Sequence, residues 1–309
     1  MAKYDMGGHM AQMLGDILDP AGYIERIWNK PYEWQQLALN PAYLRVMLNC
    51  ARQSGKSTIV SGIVDHSAKY IPRSLNIIVS PSEKQSQETM KKVEDYISAD
   101  PELNKFLVKD SAFEKEFRNG SRIIALPGTE RSVRGYSGPH TIVIDEAARV
   151  PDETYKAIRP MLTGNERAKL ILLSTPWVQQ GFYYEEWTKN PIWKKILVVP
   201  RYELDEMSGQ LVERAPVEEF QAEQLKKGVH AFYSPRHKLE WLYEELMSAG
   251  PIWFRREYGC EFLSGMESMF TMDMIESAYT ETTQTHYNDS DRYTEHVKVV
   301  DFLGGLFNG

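Results

Sequence analysis

Leu44–Tyr70 reads LRVMLNCARQSGKSTIVSGIVDHSAKY, and its three parts decide the fold. Leu44–Leu48 is a short apolar run, the signature of a buried strand. Lys56–Tyr70 places Ile59, Val60, Ile63, Val64 and Ala68 at helical spacing. Between them lies a loop, Asn49–Gly55, which delivers the chain into Ser54-Gly55-Lys56-Ser57. Strand, glycine-bearing loop and helix in that order predict a phosphate-binding loop. Gly55 lets the backbone turn its N–H groups inward, and the helix N-terminus adds partial positive charge. Lys56 is expected to reach the β- and γ-phosphates of a nucleotide, with the Ser57 hydroxyl on Mg²⁺. Gln53, Ser54 and Thr58 complete the expected nucleotide-binding set. One position departs from G-x-x-x-x-G-K-[ST]: Cys50 stands where the leading glycine falls, and Gly-Lys-Ser alone also occurs in surface turns.

Composition sets the outer bounds. The chain has 309 residues, 42% hydrophobic and 26% charged, an ordinary globular balance sized for one large α/β domain with an appendage. No apolar run is long enough for a membrane helix, and MAKYDMGGHMAQML lacks the apolar core of a signal peptide. Two cysteines, Cys50 and Cys260, make no disulfide framework and fit a reducing compartment, so the cytoplasm is the expected location. A net charge of −7 argues against coating nucleic acid by bulk electrostatics and leaves a local basic surface as the way to hold it.

Residues 1–31 read as an N-terminal arm with a helix around Met10–Ile17, interrupted by Pro20 and Gly22. Tyr32–Leu39 reads as a short helix carrying Trp34 and Gln35. One reading packs it on the sheet edge; the other has Gln35 hydrogen-bonding adenine with an aromatic against the base. Leu75–Ser80 predicts a strand, and Ser82–Ser98 a polar helix with a stripe of Met90, Val93 and Ile97. Asn119-Gly120 predicts a hairpin joining Phe113–Phe117 to Arg122–Leu126. Pro127–His140 reads as a long Gly- and Arg-bearing loop. Thr141–Asp145, Leu170–Ser174 and Ile196–Val199 complete the strands, with a helix from Pro151 to about Leu162. Strands that are apolar throughout and alternate with helices predict an α/β fold, a mainly parallel sheet covered on both faces. Ligands then sit at the carboxyl ends of the strands. The expected ATPase core is 32–200. From Pro200 buried strands are expected to give way to a small helical lid over 201–285, with helices at Pro235–Ser248 and Pro251–Tyr258, and a tail follows at 286–309.

Two further strand ends carry chemistry. IVIDE at 142–146 closes an apolar strand with paired carboxylates: Asp145 for the metal, Glu146 to orient and deprotonate a water. LLSTP at 172–176 puts the hydroxyls of Ser174 and Thr175 where loss of a γ-phosphate is sensed. Arg52, inside the phosphate loop, is an expected charge stabiliser. Arg134, in the Gly-rich loop, reads either as a finger offered to a neighbouring subunit or as a solvated loop arginine. The seven histidines form no metal pattern, and no Ser-His-Asp arrangement is present to argue.

Taken together, CARQSGKS at 50–57, IDEAA at 144–148 and LSTP at 173–176 resemble the ATPase motifs of the large terminase subunits of tailed bacteriophages. An arginine in the loop and a missing leading glycine are usual there. Trp34-Gln35 is similar to the family's adenine motif, Arg134-Gly135 to the segment of its trans-acting arginine, and FRREY at 254–258 through Glu261-Phe262 to the segment closing its ATPase region. The resemblance covers roughly residues 30–270. It implies a P-loop NTPase of the additional-strand, catalytic-glutamate type that uses ATP and Mg²⁺. It also implies a homo-oligomeric ring moving double-stranded DNA into a procapsid, alongside a portal protein and a small terminase subunit in the host cytoplasm. The family's nuclease domain is the point of departure. VKVVD at 297–301 faintly resembles its first strand, but eight residues follow, so cleavage is not expected and the chain reads as an excised ATPase region or a truncated gene. Two rivals remain: a helicase-like remodelling ATPase, which needs a second such domain, and a nucleotide-binding assembly module with little turnover.

Overall fold

The computed structural model describes residues 6–264, and these fall within one compact unit that ends at Ser264. Strands β1 (Arg45–Cys50), β2 (Leu75–Ser80), β3 (Leu107–Asp110), β4 (Glu114–Phe117), β5 (Arg122–Pro127), β6 (Thr141–Asp145), β7 (Lys169–Ser174), β8 (Lys194–Val199) and β11 (Val229–Tyr233) build a nine-stranded sheet. Its order is β11-β8-β1-β7-β6-β2-β5-β4-β3. Every pairing from β11 to β5 is parallel, and β4 and β3 add antiparallel at one edge. A separate antiparallel pair is formed by β9 (Tyr202–Leu204) and β10 (Leu211–Glu213). The phosphate-loop strand β1 and the Asp-Glu strand β6 are not neighbours. The additional strand β7 stands between them, in register Leu48↔Leu173 on one side and Asp145↔Leu173 on the other. That register brings Cys50, Asp145 and Ser174 to one edge of the sheet.

Side chains alternate across the sheet with period two, which is why the strands read as apolar throughout. Val46, Leu48, Ile78, Val143, Ile171 and Leu173 face a core completed by helices α2 (Pro20–Ile27), α3 (Glu33–Leu39), α4 (Lys56–Tyr70) and α5 (Glu83–Ala99). Met47, Ile77, Val79, Ile142, Ile144, Leu170 and Leu172 face the opposite core, closed by α8 (Asp152–Ile158) and α9 (Gly181–Lys189). A third cluster lies under α10 (Val217–Lys226), α11 (Leu239–Ala249) and α12 (Pro251–Glu257), where Phe220, Leu242 and Phe254 pack on Val199 and Ala231. The remaining α-helices among the described residues are α1 (Met6–Leu18), α6 (Pro101–Phe106) and α7 (Glu130–Val133).

Several expectations need correction. After Pro200 the chain does not give way to helices alone, because β11 pairs in parallel with β8 and extends the main sheet. Its alternating burial and its His230 hide it from a search for continuous apolar runs. Pro20 ends one helix but opens another as its first residue, and Gly22 lies inside that second helix. The Pro127–His140 stretch is not all loop: Thr129 accepts a hydrogen bond from Ser132 N and caps the single turn of α7. The Asn119-Gly120 hairpin forms as expected, with Gly120 at φ +81°. Residues 286–309, including VKVVD at 297–301, lie outside the described residues, as do 265–285 of the expected lid.

Candidate active site

The chain leaves β1 at Cys50 and must reverse within five residues to enter α4 at Lys56. Two left-handed residues make the turn, Gln53 at φ +60° and Gly55 at φ +100°. At Gly55 the conformation calls for glycine, and a Cβ there would lie 3.2 Å from Arg236 Nη1 and 3.5 Å from Gln35 Nε2, the ends of two long side chains. Lys56 is buried, its Nζ 3.4 Å from the carbonyls of both Cys50 and Ala51. Cys50 is itself buried at the foot of the loop, and desolvation pushes its thiol up to about 12. It packs as a small apolar residue.

A cavity of about 700 Å³ opens over this loop. Arg52, Gln53, Gly55, Lys56, Ser57, Thr58 and Glu146 line it, whereas Ser54 of the same loop is fully buried and does not. Lys92 of α5 and Arg236, His237, Lys238 and Trp241 line it too. Five cationic side chains thus face one carboxylate around a glycine cradle, a donor set that fits a polyphosphate. Arg236, His237, Lys238 and Trp241 reach the loop because β11 ends at the same edge as β1. His237 Nε2 lies 2.8 Å from the Arg52 carbonyl, and its ring stacks on Trp241 at 5.5 Å. Burial lowers the pKa of His237.

At the end of β6, Asp145 is 7% exposed, with Oδ1 accepting from Glu146 N at 2.9 Å and Oδ2 lying 3.4 Å from Thr89 Oγ1. Desolvation, then repulsion from Glu146, raises its pKa to about 6, against the pull of Lys56. Glu146 is held at φ +48°, a left-handed conformation that a non-glycine residue adopts only under local constraint. Its Oε2 meets Arg149 Nη1 at 3.0 Å and Ser174 Oγ at 3.5 Å, while Ser174 Oγ also accepts from Ala148 N at 3.2 Å. The end of β7 therefore touches the end of β6 directly. Thr175 is buried beside it. Among the described residues no group of three His, Cys, Asp or Glu side chains is placed to hold a metal ion.

Two expected residues stand elsewhere. Trp34 is 1% exposed and belongs to the core with Ala38 one helical turn on, so its ring is not presented to a base. Arg134 is 70% exposed, paired with Glu130 of α7, and does not line the cavity. Gln35 is buried: its Oε1 accepts from Tyr32 N at 2.9 Å and its Nε2 donates to Gly55 O at 3.3 Å. It also lines a second cavity of about 430 Å³, together with Trp28, Tyr32, Thr58 and Arg236.

A parallel sheet with an additional strand between phosphate loop and acidic strand defines a P-loop NTPase fold of the additional-strand type. The chain belongs to the terminase large-subunit family: the family described as terminase large subunit, T4likevirus-type, N-terminal, matches residues 47–277. Solved structures agree in fold. The Thermus phage P74-26 large terminase ATPase domain aligns over 80% of this chain and 100% of its own length at 20% identity, with a TM-score of 0.58. The large terminase of a thermophilic bacteriophage, in complex with ATP-gamma-S, aligns over 79% of this chain and 56% of its own at 10% identity, TM-score 0.52.

Proposed function

We propose that this chain hydrolyses ATP and that, assembled with copies of itself, it uses the reaction to drive double-stranded DNA into a procapsid. The observation that carries the reading is the convergence of Lys56, Ser57 and Glu146 on one cation-lined cavity at the carboxyl edge of the sheet. In this reading the loop N–H groups, Lys56 and Arg52 hold the phosphates, and Arg236 and Lys238 add charge from the β11–α11 connection. Ser57 and Asp145 would hold Mg²⁺, which when bound neutralises charge on the β- and γ-phosphates. Glu146 orients the attacking water and takes its proton. Ser174, in contact with both Glu146 and the backbone leaving β7, passes the change onward with Thr175. Portal protein and small terminase subunit are the proposed partners, at the procapsid portal in the host cytoplasm. Among the described residues no helix is long and apolar enough to cross a membrane.

Steady-state turnover of Glu146→Gln beside wild type tests the reading. Loss of about a hundredfold or more in kcat, with ATP binding retained, is the expected result. Wild-type chain that binds ATP and turns over at no concentration, with or without linear duplex DNA, would sink it.

A further inference from the structure

Glu257 of α12 is 2% exposed and gathers three guanidinium groups. Arg256 Nε lies 3.1 Å from its Oε1, Arg149 Nη2 3.4 Å from the same oxygen, and Arg52 Nη1 3.7 Å from Oε2. Its backbone carbonyl also accepts from Arg52 N at 2.8 Å. Arg149 is the branch point, because its other terminal nitrogen holds Glu146 Oε2 at 3.0 Å. Trp177, just beyond β7, faces both Arg149 and Arg256, with centroid distances of 4.6 and 4.2 Å. The cluster therefore runs Arg52–Glu257–Arg149–Glu146, from the phosphate loop through α12 to the carboxylate at the end of β6. Of the contacts to Glu257, that of Arg52 is the longest, and the Arg52 side chain is 54% exposed. It is the one a competing anion takes first.

We propose that Glu257 is a positioning residue that makes Glu146 answer to the γ-phosphate, a role that rests on the nucleotide reading of the site. Three cations share two carboxylates, so withdrawing one cation redistributes the others. A γ-phosphate draws Arg52 away from Glu257. Glu257 then draws Arg149 more closely, and Arg149 loosens its hold on Glu146, whose carboxylate becomes available to a water. A diphosphate has no group at that place, so Arg52 stays on Glu257 and Arg149 stays on Glu146.

Glu257→Gln tests this with two readouts. Titration with ATP-gamma-S and with ADP is expected to show the former tightened about two- to fivefold, the range for a long ion pair exposed on its arginine side, with ADP unchanged. Turnover at saturating ATP is expected to fall about tenfold, because Arg149 then holds Glu146 without competition. Adding Arg149→Gln to Glu257→Gln is expected to restore much of that turnover. Glu257→Asp, which keeps the charge, should lie between, and thermal melts report whether each variant folds. A purely structural Glu257 predicts the opposite pattern, with both nucleotides weakened alike and turnover lost further in the double variant; that result overturns the proposal. So does ATP-gamma-S affinity unchanged in a folded Glu257→Gln, which leaves the nucleotide reading standing. Wild-type chain that binds neither nucleotide removes both.

Discussion

The side-chain amide of Gln35 donates to the carbonyl of Gly55 at 3.3 Å, while its oxygen accepts from the backbone of Tyr32 at 2.9 Å. One buried carboxamide thereby ties the start of α3 to the residue that caps α4. Both ends are engaged with the protein, which assigns Gln35 first to the shape of the phosphate loop. Gln35→Ala removes both bonds and is therefore expected to weaken ATP and GTP binding alike, by about fivefold for the one that reaches the loop. Competition titrations with the two nucleotides check it. A loss confined to ATP would return Gln35 to reading the base.

Arg236 stands between two cavities, the one over the phosphate loop and the one lined by Trp28, Tyr32 and Gln35. Its guanidinium lies against Gly55, and its neighbour His237 is fixed to the loop through the Arg52 carbonyl. Arg236→Ala is expected to raise the Kd for ATP about tenfold, the low end for a charge-assisted hydrogen bond, with kcat little changed. Arg236→Lys should recover part of the loss, since it keeps the charge but not the planar fork. An unchanged Kd would place Arg236 outside the nucleotide site.

How much of this site can be read along the chain depends on how local each piece is. The strand, loop and helix around Gly55 are contiguous, and the observed α4 spans the same Lys56–Tyr70 that apolar spacing predicts. Asp145 and Ser174 are legible because each closes a run of apolar residues, and the parallel register then brings them together. Arg236, His237 and Lys238 are not legible in this way. His237 meets Arg52 across 185 residues, and only the pairing of β11 with β8 delivers it. Nor does local sequence say which face of α3 turns inward. Trp34 and Ala38 are four apart and share the buried face, so the aromatic next to Gln35 serves the core and not a ligand.

Lys169 carries a pH signature. Its ammonium is buried with no carboxylate in contact among the described residues, capping the carbonyls of Ala38, Leu39 and Asn40 at 2.8, 3.4 and 3.0 Å, the last turn of α3. Burial lowers its pKa from 10.5 to about 7. Between those values the unfolded chain keeps the proton and the folded chain releases it, so stability rises with pH across that window. Below about 7 both states are protonated and the group adds no slope. Denaturant melts from pH 6 to 9 are expected to show wild type gaining on Lys169→Met above about pH 7, by at most ~1.4 kcal/mol per pH unit. Parallel curves for the two proteins would mean the lysine keeps its charge when buried.

Arg134 has the two properties that a group serving a neighbouring site needs. It is 70% exposed, and its tether is an exposed pair with Glu130 on the same short segment, worth no more than about 1 kcal/mol. It does not line its own chain's phosphate cavity. If the site is completed by a second copy, turnover per chain rises with protein concentration and Arg134→Ala abolishes the rise, at a cost of about a thousandfold for a lost arginine finger. A mixing experiment separates this from a defect within one chain. Glu146→Gln chains keep Arg134 and Arg134→Ala chains keep Glu146, so two preparations that are each inactive are expected to regain turnover when combined. Recovery requires that one copy's arginine enter another copy's site. Mixtures as inactive as their components would assign Arg134 to its own chain or to the solvent.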